Sequence, residues 1–247
     1  MRDFIFGLSA LGLCVLAACA TTDPVQGANK AASVLALADS ARPQADKDRD
    51  AVRKPGEMLD FAGIGPGTKV AEFAPGGGYF TRVFAKAVAP NGKVYALAPP
   101  GRGGGPPGVV AVAAEETYGG SIVVLPLGEG GTLNTPEKVD VVWTSRNYHD
   151  LRDRTPAFNK SAFDILKPGG VFIVLDHSAG TDGAADAAST LHRINPNIVK
   201  QQVTGAGFQF VGESNTLKNP ADSHNLPVSD QGIRDNTDQF ILKFRKP

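Results

Sequence analysis

Three consecutive glycines, Gly76 to Gly78, separate an apolar run from an amphipathic one, and that junction leaves few folds open. Val70, Ala71 and Phe73 form a run of strand length that Pro75–Gly78 cannot continue. From Phe80 the period changes, with Phe80, Val83, Phe84, Ala87 and Val88 spaced to share one face of a helix. Strand, glycine turn and helix together form the crossover at which open α/β sheets bind nucleotide-like ligands. There, bare backbone N–H groups lie beside the positive end of a helix. The dinucleotide pattern G-x-G-x-x-G fails because Thr81 holds the third glycine's place, and no Gly-Lys-Ser/Thr follows to make a phosphate loop. Glu72 stands just before the turn. A carboxylate there repels a pyrophosphate but can hold an ammonium or a ribose hydroxyl. A tight strand–helix turn without a ligand is the competing reading of the same residues.

Further strands are predicted over Lys93–Ala98, Ser121–Leu127, Val139–Thr144, Val171–Asp176, Phe208–Glu213 and around Phe240–Arg245. Val139–Thr144 is apolar on both faces, as a central parallel strand is. Phe240, Leu242 and Phe244 alternate with Ile241, Lys243 and Arg245, which leaves the last strand one wetter face. Helices are predicted over Ala31–Ala38, over Ala45–Phe61 with a break at Pro55–Gly56, and over Val109–Tyr118. Two more are predicted over Phe158–Leu166, stopped by Lys167-Pro168-Gly169-Gly170, and over Thr190–Ala206 with an interruption near Pro196. Lys47 to Lys54 is a run of charges read as a solvated face, with Met58, Leu59 and Phe61 packing inward. Pro99–Gly108 is a loose proline- and glycine-rich loop. Strands alternating with helices give one α/β domain. The chain's 247 residues suffice to bury a core, and 25 Lys plus Arg balance 25 Asp plus Glu, so nucleic acid is not an expected partner.

The amino terminus reads as a targeting segment. Arg2 precedes the apolar run Phe4–Ala18, which is short for a membrane span and ends in small residues. Leu16-Ala17-Ala18-Cys19 resembles the lipobox of bacterial lipoproteins, in which the cysteine is lipidated and becomes the first residue. The competing readings are an ordinary signal peptide cut near Ala20 and an uncleaved anchor. The resemblance divides the chain into a signal peptide (1–18), a lipidated tether (19–44) and the α/β domain (45–247). With Ala20 after the cysteine, it implies a membrane-anchored lipoprotein facing the periplasm from the outer membrane. No cysteine follows residue 19, so the mature domain has neither a disulfide nor a thiol nucleophile.

The glycine turn resembles motif I of the class I S-adenosylmethionine (SAM)-dependent methyltransferases. Glu72 takes the acidic position and Ala74, Gly76 and Gly78 the three glycine positions. More narrowly, Glu72-x-x-Pro75-Gly76-x-Gly78-Tyr79 together with Asn147-Tyr148-His149-Asp150 resembles a family of predicted bacterial methyltransferases, over about Arg49 to Pro247. That resemblance implies a doubly wound, mostly parallel seven-stranded sheet with an antiparallel last strand. It also implies SAM as cofactor and methyl transfer to a small-molecule acceptor. Glu72, Ala74, Gly76, Gly77, Gly78 and Tyr79 would hold the donor, with Glu129 as the candidate for the adenine amino group and a lid-like helix from the segment before the core. Ala98 departs from the family, which usually carries there an acid that accepts from both ribose hydroxyls.

At the end of the fourth strand, Asn147 could orient an acceptor, Tyr148 could wall the methyl group, and His149 could act as general base with Asp150 or another carboxylate behind it. Alternatively, His149 and Asp150 cap the following turn and Tyr148 is core. His177 follows Asp176 on the same rim, as a second acid/base or a loop cap. The pairs His149/Asp150 and Asp176/His177 lack the helical i, i+4 spacing of zinc motifs, so no metal is expected; His192 and His224 stand isolated. No Gly-x-Ser-x-Gly elbow occurs. The rival to an enzyme is a non-catalytic exported binding or scaffold domain that kept the fold while its donor site decayed.

Overall fold

Apolar, β-branched runs separated by glycine and proline turns pair into a single sheet. Its strands are β1 (Lys69–Phe73), β2 (Lys93–Ala98), β3 (Ile122–Pro126), β4 (Val139–Ser145), β5 (Leu166–His177), β6 (Gln209–Ser214) and β7 (Gln239–Arg245). The computed structural model describes residues 24–180 and 186–247, so the apolar run Phe4–Ala18 and the lipidation candidate Cys19 lie outside the described residues. The strand order is β3-β2-β1-β4-β5-β7-β6. Strands β1 to β5 pair in parallel, and β7 runs antiparallel to both β5 and β6. The expected seven-stranded sheet with an antiparallel last strand is present.

Nine α-helices complete the described chain: α1 (Pro24–Ala38), α2 (Gln44–Lys47), α3 (Asp50–Arg53), α4 (Pro55–Ala62), α5 (Tyr79–Ala87), α6 (Val109–Ala113), α7 (Thr155–Ile165), α8 (Ala187–Thr190) and α9 (Pro196–Gly205). One face of the sheet packs Val70, Ala96, Val141, Trp143 and Ile173 against α1, α4, α5 and α6. Trp143 meets Phe80 and Phe84 of α5 at ring-centroid distances of 5.0 and 5.3 Å. The other face packs Ala71, Val142, Phe172 and Leu242 against α7 and α9. Helices on both faces explain why the central strands are apolar throughout instead of alternating.

Three expectations shift. Helix α1 begins at Pro24, well before Ala31, and lies against α4 and α5 with Ala32 and Ala36 buried. The described part of the 19–44 segment is therefore largely helical and packed. The predicted Val109–Tyr118 helix stops at Ala113 and is followed by a single 3-10 turn at Glu116–Tyr118. Strand β5 starts at Leu166, because the Lys-Pro-Gly-Gly turn loops out within it. The pairing with β4 jumps from Val139↔Leu166 to Val141↔Val171. The interruption expected near Pro196 in the helix predicted over Thr190–Ala206 is present, because Leu191–Asn195 leaves helical geometry to run beside β5. A Ser178↔Ile194 bridge holds that segment in place, and α9 restarts at Pro196 with the Asn195 side chain accepting from the Asn197 N–H. Among the described residues no helix is long and apolar enough to cross a membrane.

Candidate functional site

Glu72 ends up on the side of β1 that faces α5, where apolar packing takes nearly all of its surface out of water. The hydroxyl of Thr81 donates to its Oε2 at 2.6 Å. Burial nonetheless pushes its pKa from 4.5 up to about 7, outweighing the opposing hydrogen bond. Among the described residues Glu72 has no salt-bridge partner. A group so placed changes charge near neutral pH and gains most from an arriving cation.

After Phe73 the chain reverses through left-handed backbone at Ala74, Gly76 and Gly78, with φ of +51, +59 and +82°. These are the three positions the methyltransferase motif assigns to glycine, and Ala74 holds the first despite its Cβ. An added Cβ at Gly78 would stand 2.8 Å from Val112, whereas one at Gly77 would meet nothing within 4 Å. Gly78 is thus required by packing, and Gly77 leaves bare backbone facing open space.

That backbone borders two adjoining cavities. One, of about 290 Å³, is lined by Asp46, Arg49, Arg53, Glu72, Tyr79, Arg146 and Asn147. The other, of about 480 Å³, extends along Ala98, Pro99, Pro100, Pro107 and Gly108, and shares Ala74, Gly76, Gly77 and Asn147 with the first. The Pro99–Gly108 loop thus closes one side of the cleft. Both lie beyond the carboxyl ends of the parallel strands, where such sheets bind ligands. A larger cavity of about 550 Å³ lies against α7 and α9 and includes none of the turn's residues.

Short helices α2 and α3 cover the first cavity and are fastened to the turn below. Asp50 accepts two hydrogen bonds from buried Arg42, at 2.8 and 2.6 Å, and a third from the Tyr79 hydroxyl at 2.6 Å. Arg82 donates to Asp46 and to the carbonyl of Gly77, both at 3.0 Å. The Arg53 guanidinium lies 4.4 Å from the Tyr79 ring centre. Burial, and then the charges of Arg146 and Arg49, lower the Arg53 pKa to about 10, and its buried Nε has no hydrogen-bond partner among the described residues. Arg146 is likewise lowered, first by burial and then by Arg49. The charge run read as a solvated face therefore contributes Arg49 and Arg53 to a cavity wall. Asp46, Arg49, Asp50 and Arg53 recur at helical spacing, a charged stripe visible in the sequence, but only the folded chain shows that it turns inward.

One carboxyl group poised near neutrality and three guanidinium groups that form no salt bridge among the described residues suit a zwitterion, with its ammonium toward Glu72 and its carboxylate toward the arginines.

Of the remaining predicted residues, Asn147 borders both cavities. Its amide donates to the carbonyls of Ser145 at 2.7 Å and Ala74 at 3.3 Å, tying the end of β4 to the turn. Tyr148 points into the core instead of walling the cleft. It packs on Phe158, and its hydroxyl accepts from Asn159 at 2.9 Å and donates to Gln202 at 3.2 Å. Glu129 is exposed on a single-turn helix and lines neither cavity by the turn, so the adenine contact expected of it has no support in this geometry.

His149 borders a different cavity, of about 330 Å³, that does not include the glycine turn. Its carboxylate partner in the core is Asp176. Oδ2 of Asp176 accepts the His149 backbone N–H at 2.9 Å, while Oδ1 pairs with His149 Nδ1 at 2.9 Å and with the His177 N–H at 2.7 Å. Burial opposes protonation of His149, but the Asp176 hydrogen bond and charge outweigh it and raise the pKa above the ordinary histidine value. His177 goes the other way: burial pulls it down to about 4, with Nδ1 bonded to the Thr237 hydroxyl at 2.8 Å. His192, isolated in the sequence, stacks edge-on against His149 with ring centres 5.4 Å apart.

No family model matches the sequence, and no curated protein matches it. Solved structures share its fold. A SAM-dependent methyltransferase from Aquifex aeolicus aligns with a TM-score of 0.56 at 16% identity, over 81% of this chain and 99% of that one. The N-methyltransferase NodS from Bradyrhizobium japonicum WM9 gives 0.57 at 14% identity, over 82% and 99%. The [4+2]-cyclase SpnF gives 0.59 at 14% identity, over 89% and 96%. The chain has the class I methyltransferase fold; at these identities the likeness is one of fold.

Proposed function

We propose that the chain binds SAM at the glycine turn and transfers its methyl group to a small-molecule acceptor, anchored by a lipid on Cys19 to the periplasmic face of the outer membrane. The observation that carries the donor assignment is the charge pattern around Gly77. Glu72 on one side and Arg49, Arg53 and Arg146 on the other match the ammonium and carboxylate of an amino-acid end. The adjoining cavity beside Ala98 takes the nucleoside end, and its apolar proline lining suits a flat base. The two cavities fall within the roughly 300–1,000 Å³ of small-ligand sites. The residues fit the cofactor at its amino-acid end, and lack an acid at Ala98 for the ribose. That lack costs roughly 1.5–3 kcal/mol of binding.

When bound, SAM supplies an electrophilic methyl group on a sulfonium. The protein's part is to fix geometry: Asn147 holds the end of β4 against the turn, and α2 and α3 exclude water from above. Asp176 keeps the Nδ1 proton of His149 in place, which leaves the Nε2 lone pair as the basic atom on the acceptor side.

Calorimetry with SAM and with its demethylated product tests this. One equivalent of either, with affinity reduced in Arg53→Ala, is the expected result; no heat at millimolar ligand would overturn it.

The rival reading, a non-catalytic exported binding or scaffold domain, is favoured by one specific observation. Ala98 stands at the end of β2 where an acid is usual, as it would if selection on the donor had lapsed. The presence of a [4+2]-cyclase among the similar folds adds that this architecture does not by itself fix a reaction. Retention of SAM through purification would eliminate the rival.

A further inference from the structure

His149, Asp150 and His192 come together on the carboxyl rim of the sheet. His149 and Asp150 sit on one turn of 3-10 helix after β4, and His192 arrives from the segment after α8. That segment is held rigidly. The Ile194 N–H donates to the carbonyl of His177 at 2.9 Å, and the Ala179 N–H donates to that of Ile194 at 3.0 Å. Next door, buried Arg193 donates to both oxygens of Asp222, at 2.8 and 3.1 Å, and to the Ser178 carbonyl at 2.9 Å. With Arg193 pinned inward, His192 is presented outward, toward His149.

Asp150 Oδ1 lies 3.5 Å from His149 Nε2 and 3.7 Å from His192 Nδ1, and the three atoms lie within 4.8 Å of one another. Ligand atoms of a tetrahedral zinc ion with bonds of about 2.0–2.1 Å stand about 3.3–3.4 Å apart. The Asp150 distances exceed that by a few tenths of an ångström, and exposed Asp150 and His192 have room to close the gap. Behind His149, Asp176 engages Nδ1 at 2.9 Å. A carboxylate on the far nitrogen is the arrangement that fixes the tautomer and turns the other lone pair toward a metal.

We propose that His149 Nε2, Asp150 Oδ1 and His192 Nδ1 form a three-ligand site for a divalent transition metal of the zinc class, with Asp176 as the positioning residue for His149. Two imidazoles and one carboxylate form a donor set that suits zinc and leaves a coordination position open for water or an exogenous oxygen ligand. His149 also lines the cavity of about 330 Å³, so a small molecule there has a route to that position. The site stands apart from the glycine turn and does not depend on donor binding there, but it takes the His149 lone pair that the methyl-transfer reading gives to a proton, so those two roles of His149 are alternatives. The expectation of no metal rested on sequence spacing, which could not supply the third ligand. In this site the His149 lone pair serves the metal instead of a proton.

The test uses the untagged, chelator-treated chain, titrated with Zn²⁺ by calorimetry and with Co²⁺ by visible spectroscopy. The expected result is one equivalent of Zn²⁺ and the intense visible bands of four-coordinate Co²⁺. Both should be lost in His192→Ala, an exposed position whose replacement leaves the core untouched. Asp176→Asn should weaken Zn²⁺ binding by about 10- to 100-fold. His224→Ala, which alters a histidine paired with Asp238 alone, should leave binding unchanged. Absence of stoichiometric Zn²⁺ binding, or equal affinity in His192→Ala, would overturn the proposal and leave the cluster as an imidazolium–carboxylate network.

Discussion

Glu72 is held in a place that favours its neutral form, and that tension separates stability from binding at a single residue. Its folded pKa of about 7 lies above the unfolded value of 4.5, so the folded chain binds the extra proton between them. The stability this confers is fully present below pH 4.5 and is lost as pH rises through about 7; the rise corresponds to about 3 kcal/mol. Glu72→Gln cannot ionise. Denaturant unfolding at pH 5 and pH 8 should therefore show the parent losing about 3 kcal/mol relative to the variant. The comparison isolates Glu72, because other titrating groups such as His177 are common to both chains. Binding should respond in the opposite sense. Affinity for a ligand bearing an ammonium group should increase as pH passes 7 in the parent and be weak at every pH in Glu72→Gln. A variant that gains stability above neutrality and loses the ligand marks a residue kept for its charge.

At the scale of the element, the crossover from β1 to α5 combines constraints that the sequence presents as one run of glycines. Gly78 is held at φ +82° with Val112 against it, so Gly78→Ala meets both backbone strain of about 1–2 kcal/mol and a side-chain clash. Gly77 has neither constraint, and Gly77→Val should change unfolding free energy by no more than about 0.5 kcal/mol. The same valine projects into the cleft and should abolish SAM binding by calorimetry. Loss of binding at Gly77 without loss of stability, and loss of stability at Gly78, is the expected pattern. Equal binding in Gly77→Val and the parent would separate the turn from the donor. The helices above the turn follow the same logic. Asp50 joins Arg42 and Tyr79, and Asp46 joins Arg82, so the covering segment is fixed by charge where its four-residue helices are too short to hold by themselves.

For the whole molecule, α1 is the first element of the described residues, and it packs on α4 and α5. A lipid on Cys19 would thus be only a few residues from a helix fixed to the body, and would hold the domain close to the bilayer. Labelling of cells with a radioactive fatty acid should mark the parent chain, and Cys19→Ser should carry no label and leave the membrane fraction. Label that persists in Cys19→Ser would end the lipoprotein reading.

The strands, the helices and the crossover were legible in the sequence because each depends on local periodicity, whereas the seven-stranded sheet with its antiparallel last strand was implied by the family resemblance, since the order of strands is not a local property. Val70–Phe73 can only be a strand and Phe80–Val88 only a helix, and glycine marks the join. Glu72 and Asn147 were legible as residues at strand ends, since topology alone delivers such residues to one rim. The roles of Tyr148, Arg53 and His192 were not. Tyr148 and His149 are neighbours in the chain, yet one turn of 3-10 helix sends the first to the Asn159 hydrogen bond and the second to Asp176. Arg53 reads as surface until α3 is folded over the cavity, where it lies on the Tyr79 ring and forms no salt bridge among the described residues. His192 lies 43 residues after His149 in the chain, and a bridge between Ser178 and Ile194 closes that interval. The sequence by itself determined which segments become strands and helices, and hence the rim on which chemistry can occur. Only the tertiary structure decided which side chains meet there, because distances of a few ångströms between remote residues are set by packing and not by any local pattern.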